Sequence, residues 1–218
     1  PAKIFGLSTP EGRTEGLPLM RLIGDHINKE TPGGWMPVKH SKEHVPLFNG
    51  QETVPTSLRK AIQAFALACT ARELRGQGSE HSSMLVHVTR LVHVQKHVTA
   101  QVESALRKLK QGVLRGTEPS LILELQELWE TDFAPTSQAV SAMSSDTDGP
   151  IISIAWKEIA DKLPDVLEDI SVRMINGSAK DALDYAEVTS HGLKVIAVGG
   201  DKLSRGLTLE GLCISYFV

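Results

Sequence analysis

The chain has 218 residues, 41% of them hydrophobic and 22% charged, with a formal net charge of −3. This composition suits a soluble globular chain of one large domain, or one domain and part of a second, with enough apolar residues for a sizeable core. The weakly negative balance excludes a global basic field for nucleic acid or membrane, so any nucleic-acid contact must be local. No apolar run approaches the about 18 residues that span a bilayer, and no signal peptide opens the chain, so a cytoplasmic protein without a membrane partner is expected. Cys69 and Cys213 lie far apart in apolar surroundings and read as small core residues rather than a disulfide. The sequence opens at Pro1 and stops inside the apolar run Tyr216-Phe217-Val218, which reads as a piece of a longer protein.

Residues Pro1 to Val54 are rich in Gly and Pro and read as irregular. The exception is Leu17 to Lys29, where Leu19, Leu22, Ile23 and Ile27 fall at helical spacing. A helix is expected over Ser57 to Arg75, with Leu58, Ile62, Phe65, Ala66 and Cys69 as its buried stripe and Thr56 or Ser57 as N-cap. After the polar break Gly76 to Ser83, Met84 to Val88 reads as a short buried strand that Thr89-Arg90 closes. A long helix follows from Val92 to Leu114, with Val94, Val98, Val102, Ala105, Leu106 and Leu109 inward and its lysines outward.

Pro119 to Trp129 reads as another helix, and the Ser/Thr/Asp-rich stretch Ala134 to Gly149 as a surface loop. A helix from Ser153 or Ile154 to Leu163 comes next. A strand over Ile170 to Ile175 then runs into the turn Asn176-Gly177-Ser178. Asp181 to Glu187 reads as a short helix or loop. Two apolar runs rich in β-branched residues end the chain, one from Leu193 to Val198 and one from Leu212 to Val218. Strands separated by helices imply a parallel sheet with right-handed crossovers, an α/β fold that is half of a doubly wound architecture.

Between the last two strands lies a polar crest, Gly199 to Gly211. Ligands of open α/β sheets sit outside the carboxyl ends of the strands, where this crest begins. Gly199 and Gly200 follow a strand directly, so the backbone can approach a ligand closely. Lys202 and Ser204 suit a phosphate, Arg205 offers a planar fork for phosphate or carboxylate, Gly206 permits a sharp turn, and Thr208 can bond a ribose or backbone group. The same residues are also compatible with a plain strand-to-helix turn carrying a surface arginine. No G-x-x-x-x-G-K-[ST] and no G-x-G-x-x-G occurs, so the chain holds no phosphate cradle of its own.

Other groupings are weaker. His93 and His97 share a helix face, but no Glu follows His93 and no Cys ligand is near, so no metal site is expected. The acids Asp161, Asp165, Glu168, Asp169, Asp181, Asp184 and Glu187 read as surface groups rather than the clustered carboxylates of a metal-dependent nuclease. Trp35, Trp129 and Trp156 read as packing residues before base-stacking ones.

The run Val198 to Leu212, VGGDKLSRGLTLEGL, resembles the Z1 domain family. Ser82 to Val88, Val54 to Leu58 and Ile175-Asn176-Gly177 are similar to it as well. That family occurs in bacterial proteins with superfamily 2 helicase-type ATPase domains and carries the label of an endonuclease. The crest also resembles motif V of those helicases, with Asp201, Arg205 and Gly206 on matching positions. Thr208 stands where the motif has an acid, so a hydroxyl replaces the carboxylate expected to contact the ribose.

The resemblance implies a RecA-like second helicase lobe over residues 81–218, truncated at its end, preceded by a family-specific irregular and helical segment over 1–80. It assigns Arg205, Gly206 and Thr208 to the nucleotide, and His87, Thr89, Gly199, Gly200, Lys202 and Ser204 to nucleic acid, DNA in preference to RNA. Asp201 would couple the two sites. ATP and magnesium would be held by a Walker-motif lobe of the same protein, preceding Pro1, and the arginine-finger motif would follow Val218. A metal-dependent endonuclease, or a non-catalytic module of a defence or repair complex, are the alternative classes.

Overall fold

A computed structural model gives the fold, and it describes residues 7–9, 12–14, 17, 19–27, 34–116, 118–143, 151–175, 192–200 and 209–218. A small antiparallel ribbon pairs β1 (Leu7–Thr9) with β2 (Gly12–Thr14). The main body holds α1 (Thr56–Leu74), β3 (Ser82–His87), α2 (Val92–Arg115), α3 (Pro119–Leu128), a π-helical turn over Trp129–Phe133, and α4 (Ala134–Met143). It continues through α5 (Trp156–Asp169), β4 (Ile170–Ile175), β5 (Lys194–Gly199) and β6 (Leu212–Phe217).

The four long strands form one parallel sheet in the order β4-β5-β3-β6. Flanking helices complete an α/β fold consistent with a RecA-like arrangement. Register aligns Met84 with Ile196 and Ile214, and Val86 with Val198 and Tyr216. Because side chains alternate along a strand, these residues share one face. That face packs into the main core with Leu58, Phe65, Val98, Leu125 and Leu163 of the helices. Ile175, Val195 and Ala197 form a smaller cluster on the opposite face, with Leu85, Leu193 and Leu209 against it. All six β5 residues are buried, as expected of an inner parallel strand.

Helix α1 forms where Leu58, Ile62, Phe65, Ala66 and Cys69 recur at helical spacing. Its end is set by Gly76, at φ +82°: the Gly76 N–H bonds the Glu73 carbonyl at 3.0 Å and the Gln77 N–H bonds the Arg72 carbonyl at 2.9 Å. Glycine closes the helix there because the left-handed conformation costs it nothing. The N-cap is Pro55, not Thr56 or Ser57. The acceptor for the helix start comes instead from Asp25, whose carboxylate takes the Ser57 N–H at 2.8 Å and the Ser57 hydroxyl at 2.5 Å. Ser57 Oγ in turn lies 2.8 Å from the Tyr216 phenol of β6. Since the Ser57 proton goes to a carboxylate, Tyr216 is the donor in that bond.

The expected helix over Leu17 to Lys29 does not form in the described residues, where 19–24 are irregular and a turn follows. Its apolar stripe is only partly covered: Ile23 packs against the core, but Leu19 is exposed and Leu22 fully so. A stripe with so little facing surface gains too little to fix a helix. Residues 134–143, read as loop, are helix α4, continuing α3 through the π turn, and the chain there is only moderately polar. Helix α5 starts at Trp156 and passes through Pro164 to Asp169 instead of stopping before it. The buried stripe Ile159, Leu163, Val166 and Leu167 offsets the hydrogen bond that proline removes.

The irregular stretch before α1 is strapped onto α2. The buried Trp35 indole N–H donates to Gln101 Oε1 at 2.6 Å, and Gln101 Nε2 donates to the Pro46 carbonyl at 2.7 Å. At the amino edge of the sheet, Lys194, only 3% exposed, lies 3.3 Å from both Glu73 and Asp169.

Candidate functional site

Strand β3 leaves the sheet toward β4 and strand β5 leaves toward β6, crossing β3. The direction of chain travel therefore reverses between these adjacent strands, the position in an open α/β sheet outside whose carboxyl ends ligands bind. At that edge β3 runs on into Val88-Thr89-Arg90-Leu91, and β5 ends at Gly199-Gly200.

The two exits touch. A β carbon on Gly200 would collide with the Thr89 carbonyl oxygen and sit 2.8 Å from Gln95 Nε2. The close approach at position 200, expected toward a ligand, is instead to the protein's own β3 exit, because the two strand ends pack backbone to backbone. Gln95 Nε2 donates to that same Thr89 oxygen at 2.7 Å. The amide is 3% exposed, and its Oε1 is buried without a hydrogen-bond partner. A buried acceptor left open costs free energy.

Thr89 is held from a second direction. His40 Nδ1 lies 2.8 Å from the Pro37 carbonyl, and Nε2 lies 2.8 Å from Thr89 Oγ1. The carbonyl only accepts, so Nδ1 carries the proton and Nε2 accepts the threonine hydroxyl. Thr89 Oγ1 accepts the Leu91 N–H at 3.2 Å. The Thr89 side chain is thus committed to fixing the β3–α2 corner. His87, the last β3 residue, is half-buried, and its ring centroid lies 5.3 Å from that of Phe217 on β6, tilted by 32°. Gly199 aligns with both His87 and Ile175 across the strands.

Helix α2 begins beside this corner. Its N-cap is Leu91, no side chain caps it, and its first turn holds no acid. The open N–H groups and the helix dipole make its start electropositive beside this corner. Arg90, His93 and Lys96 are exposed around it. His40 and Gln95 carry much of this geometry and were not singled out from the sequence. Nothing local marks His40, whereas Gln95, polar among the inward valines 94, 98 and 102, was a detectable signal.

Asp201, Lys202, Ser204, Arg205, Gly206 and Thr208 lie outside the described residues. The chain returns at Leu209, where the Glu210 carbonyl accepts the Ser83 hydroxyl at 2.7 Å and the Gly211 carbonyl accepts the Ser83 N–H at 2.9 Å.

Elsewhere, His93 and His97 meet edge-to-face at 5.1 Å between ring centroids. Among the described residues no three His, Cys, Asp or Glu side chains gather to hold a metal ion. Asp165 and Asp169 are engaged by Lys162 and Lys194. Trp35 and Trp129 are buried in the core. Among the described residues, no helix is long and apolar enough to cross a membrane.

Residues 57–218 match the family model described as the Z1 domain. Comparison with the curated proteins and with the solved structures finds no match.

Proposed function

We propose, for a chain that belongs to the Z1 domain family, that it serves as the second motor lobe of an ATP-driven nucleic-acid helicase or translocase, acting on DNA in preference to RNA. The observation that carries this reading is the contact between Gly200 and Thr89. A packed corner joins the exit of β5, where the glycine- and arginine-bearing segment 201–208 starts, to the exit of β3, where the uncapped start of α2 favours anions. A shift on one side would be felt on the other, because packed backbones move together.

In this reading Arg205, Gly206 and Thr208 face ATP, while His87, Gly199, Gly200, Lys202 and Ser204 border the strand. Thr89 fixes the corner between them, and Asp201 couples the two sites. The triphosphate and its magnesium would be held by a Walker-motif lobe, since this chain has no such loop. This chain's residues would close on the nucleotide from across the cleft, with the Arg205 guanidinium as the planar donor suited to phosphate oxygens.

The test is ATP hydrolysis by the full-length protein with and without single-stranded DNA. Strand-stimulated turnover that falls at least tenfold in Arg205→Ala supports the reading. Turnover indifferent to both nucleic acid and this substitution overturns it.

A further inference from the structure

Several surface cations of the described residues are neutralised, although Lys39, Lys60, Lys157 and Arg173 stand singly without a partner. Arg21 pairs with Asp132, Arg59 with Glu124, Arg72 with Glu80, and Lys162 with Glu73 and Asp165. The outer face of α2 differs. Arg90 just before it and Lys96, Arg107, Lys108 and Arg115 along it are exposed, and none has a hydrogen bond or ion pair from its side chain among the described residues. Glu103 is the only acid in the helix. It sits four residues before Arg107, a spacing that allows a pair, yet the two do not meet.

Helix stability does not account for this pattern. The macrodipole favours a cation in the last turn, which covers Arg115 alone. At the other end Arg90 and Lys96 oppose the dipole, with no acid in the first turn to offset them. The neighbouring helices have the opposite character: Glu118, Glu124, Glu127 and Glu130 lie on or beside α3, and Asp161, Asp165 and Glu168 on α5. In a chain of net charge −3, one helix that starts at the carboxyl edge of the sheet thus carries a run of unpaired cations with a single acid among them.

We infer that the outer face of α2 is a track for the phosphate backbone of a nucleic-acid strand, running from the carboxyl edge of the sheet toward Arg115. The inference rests on reading that edge as a nucleic-acid site, and extends it along the helix. From Lys96 to Arg115 the helix rises about 28 Å, a length that at most about eight nucleotides of a strand stacked at about 3.4 Å each would follow. Unpaired, exposed cations recognise the charged backbone and not the sequence.

The experiment measures binding of fluorescein-labelled thymidine oligonucleotides of about six and about twenty nucleotides to the full chain, across a salt series. It is repeated for the triple variant Arg107→Gln/Lys108→Gln/Arg115→Gln and for Lys157→Gln, a control on α5. All four positions are exposed, and circular dichroism checks that each variant is folded.

The track predicts that the long strand binds more tightly than the short one. It also predicts that the triple variant weakens the long strand by about tenfold or more and flattens its log–log salt slope by about 2. The short strand and the Lys157→Gln variant would stay unchanged. Both strands binding the triple variant as they bind the parent overturns the track and leaves the motor reading standing. No binding of either strand to the parent removes both. Polyglutamate competing as well as nucleic acid, with equal loss in the triple variant, assigns the face to an acidic protein and overturns the nucleic-acid track.

Discussion

The main chain at Gly200 rests against the carbonyl of Thr89, leaving no room for a side chain at position 200. Gln95 Nε2 bonds that carbonyl from the helix side, so strand exit, strand exit and helix start form one fixed corner. Gly200→Ala forces a methyl into backbone that cannot rotate away. The expected loss is about 1–3 kcal/mol, as for overpacking elsewhere, read as a lower urea midpoint. A variant as stable as the parent would show that the two exits do not touch.

Asp25 caps a helix more than thirty residues along the chain, through the Ser57 N–H and hydroxyl. Asp25→Ala leaves the start of α1 without its acceptor and should cost about 1–2 kcal/mol, the upper half of the usual capping range. Tyr216→Phe removes only the outer donor of the chain and should cost about 1 kcal/mol. Denaturant unfolding of both variants checks the ordering, and the reverse ordering would contradict the cap.

The Trp35 indole and the Pro46 carbonyl both bind the buried Gln101 amide. Trp35→Phe keeps an aromatic ring but strands the Gln101 oxygen, at a cost of about 1–3 kcal/mol for an unsatisfied buried group. The strap before α1 should also become more open to limited proteolysis within residues 34–55, while cleavage inside α2 stays unchanged.

Burial raises the Tyr216 phenol from 10.0 to about 12, with the Ser57 bond acting in the opposite direction. Burial likewise raises the Cys69 thiol from 9.0 to about 12. Both groups keep their protons longer in the folded state than in the unfolded one. Their contribution is therefore complete below about pH 9 and is lost as pH climbs toward about 12, because the unfolded chain then binds fewer protons. Unfolding free energies measured from about pH 8 to about pH 11 should fall for the parent. They should fall less steeply for Tyr216→Phe and for Cys69→Ala. Equal slopes in all three proteins would place both groups in solvent.

The corner was half legible in the sequence. The strand ends were visible as apolar runs that stop, at His87 to Arg90 and at Gly199-Gly200, and parallel-sheet logic puts such ends on one edge. Their partners were not visible. His40 lies 49 residues from Thr89, in a stretch with no periodicity, and an imidazole-to-hydroxyl bond leaves no pattern in either neighbourhood. The unpaired cations of α2 were visible as outward residues, but that they stay unpaired depends on which acids the fold brings near.

By itself the amino-acid order determined the alternation of strands and helices, the buried stripes of α1 and α2, and the parallel character of the sheet. Each of these follows from a repeat of two or 3.6 residues that side-chain burial imposes locally. Only the tertiary structure decided that Leu19 to Ile27 would stay irregular, that α5 would run through Pro164, and that Asp25 would cap α1. It alone set Gly200 against Thr89. These outcomes turn on which surface is opposite, and a facing surface assembled from distant segments writes no period into the chain it meets.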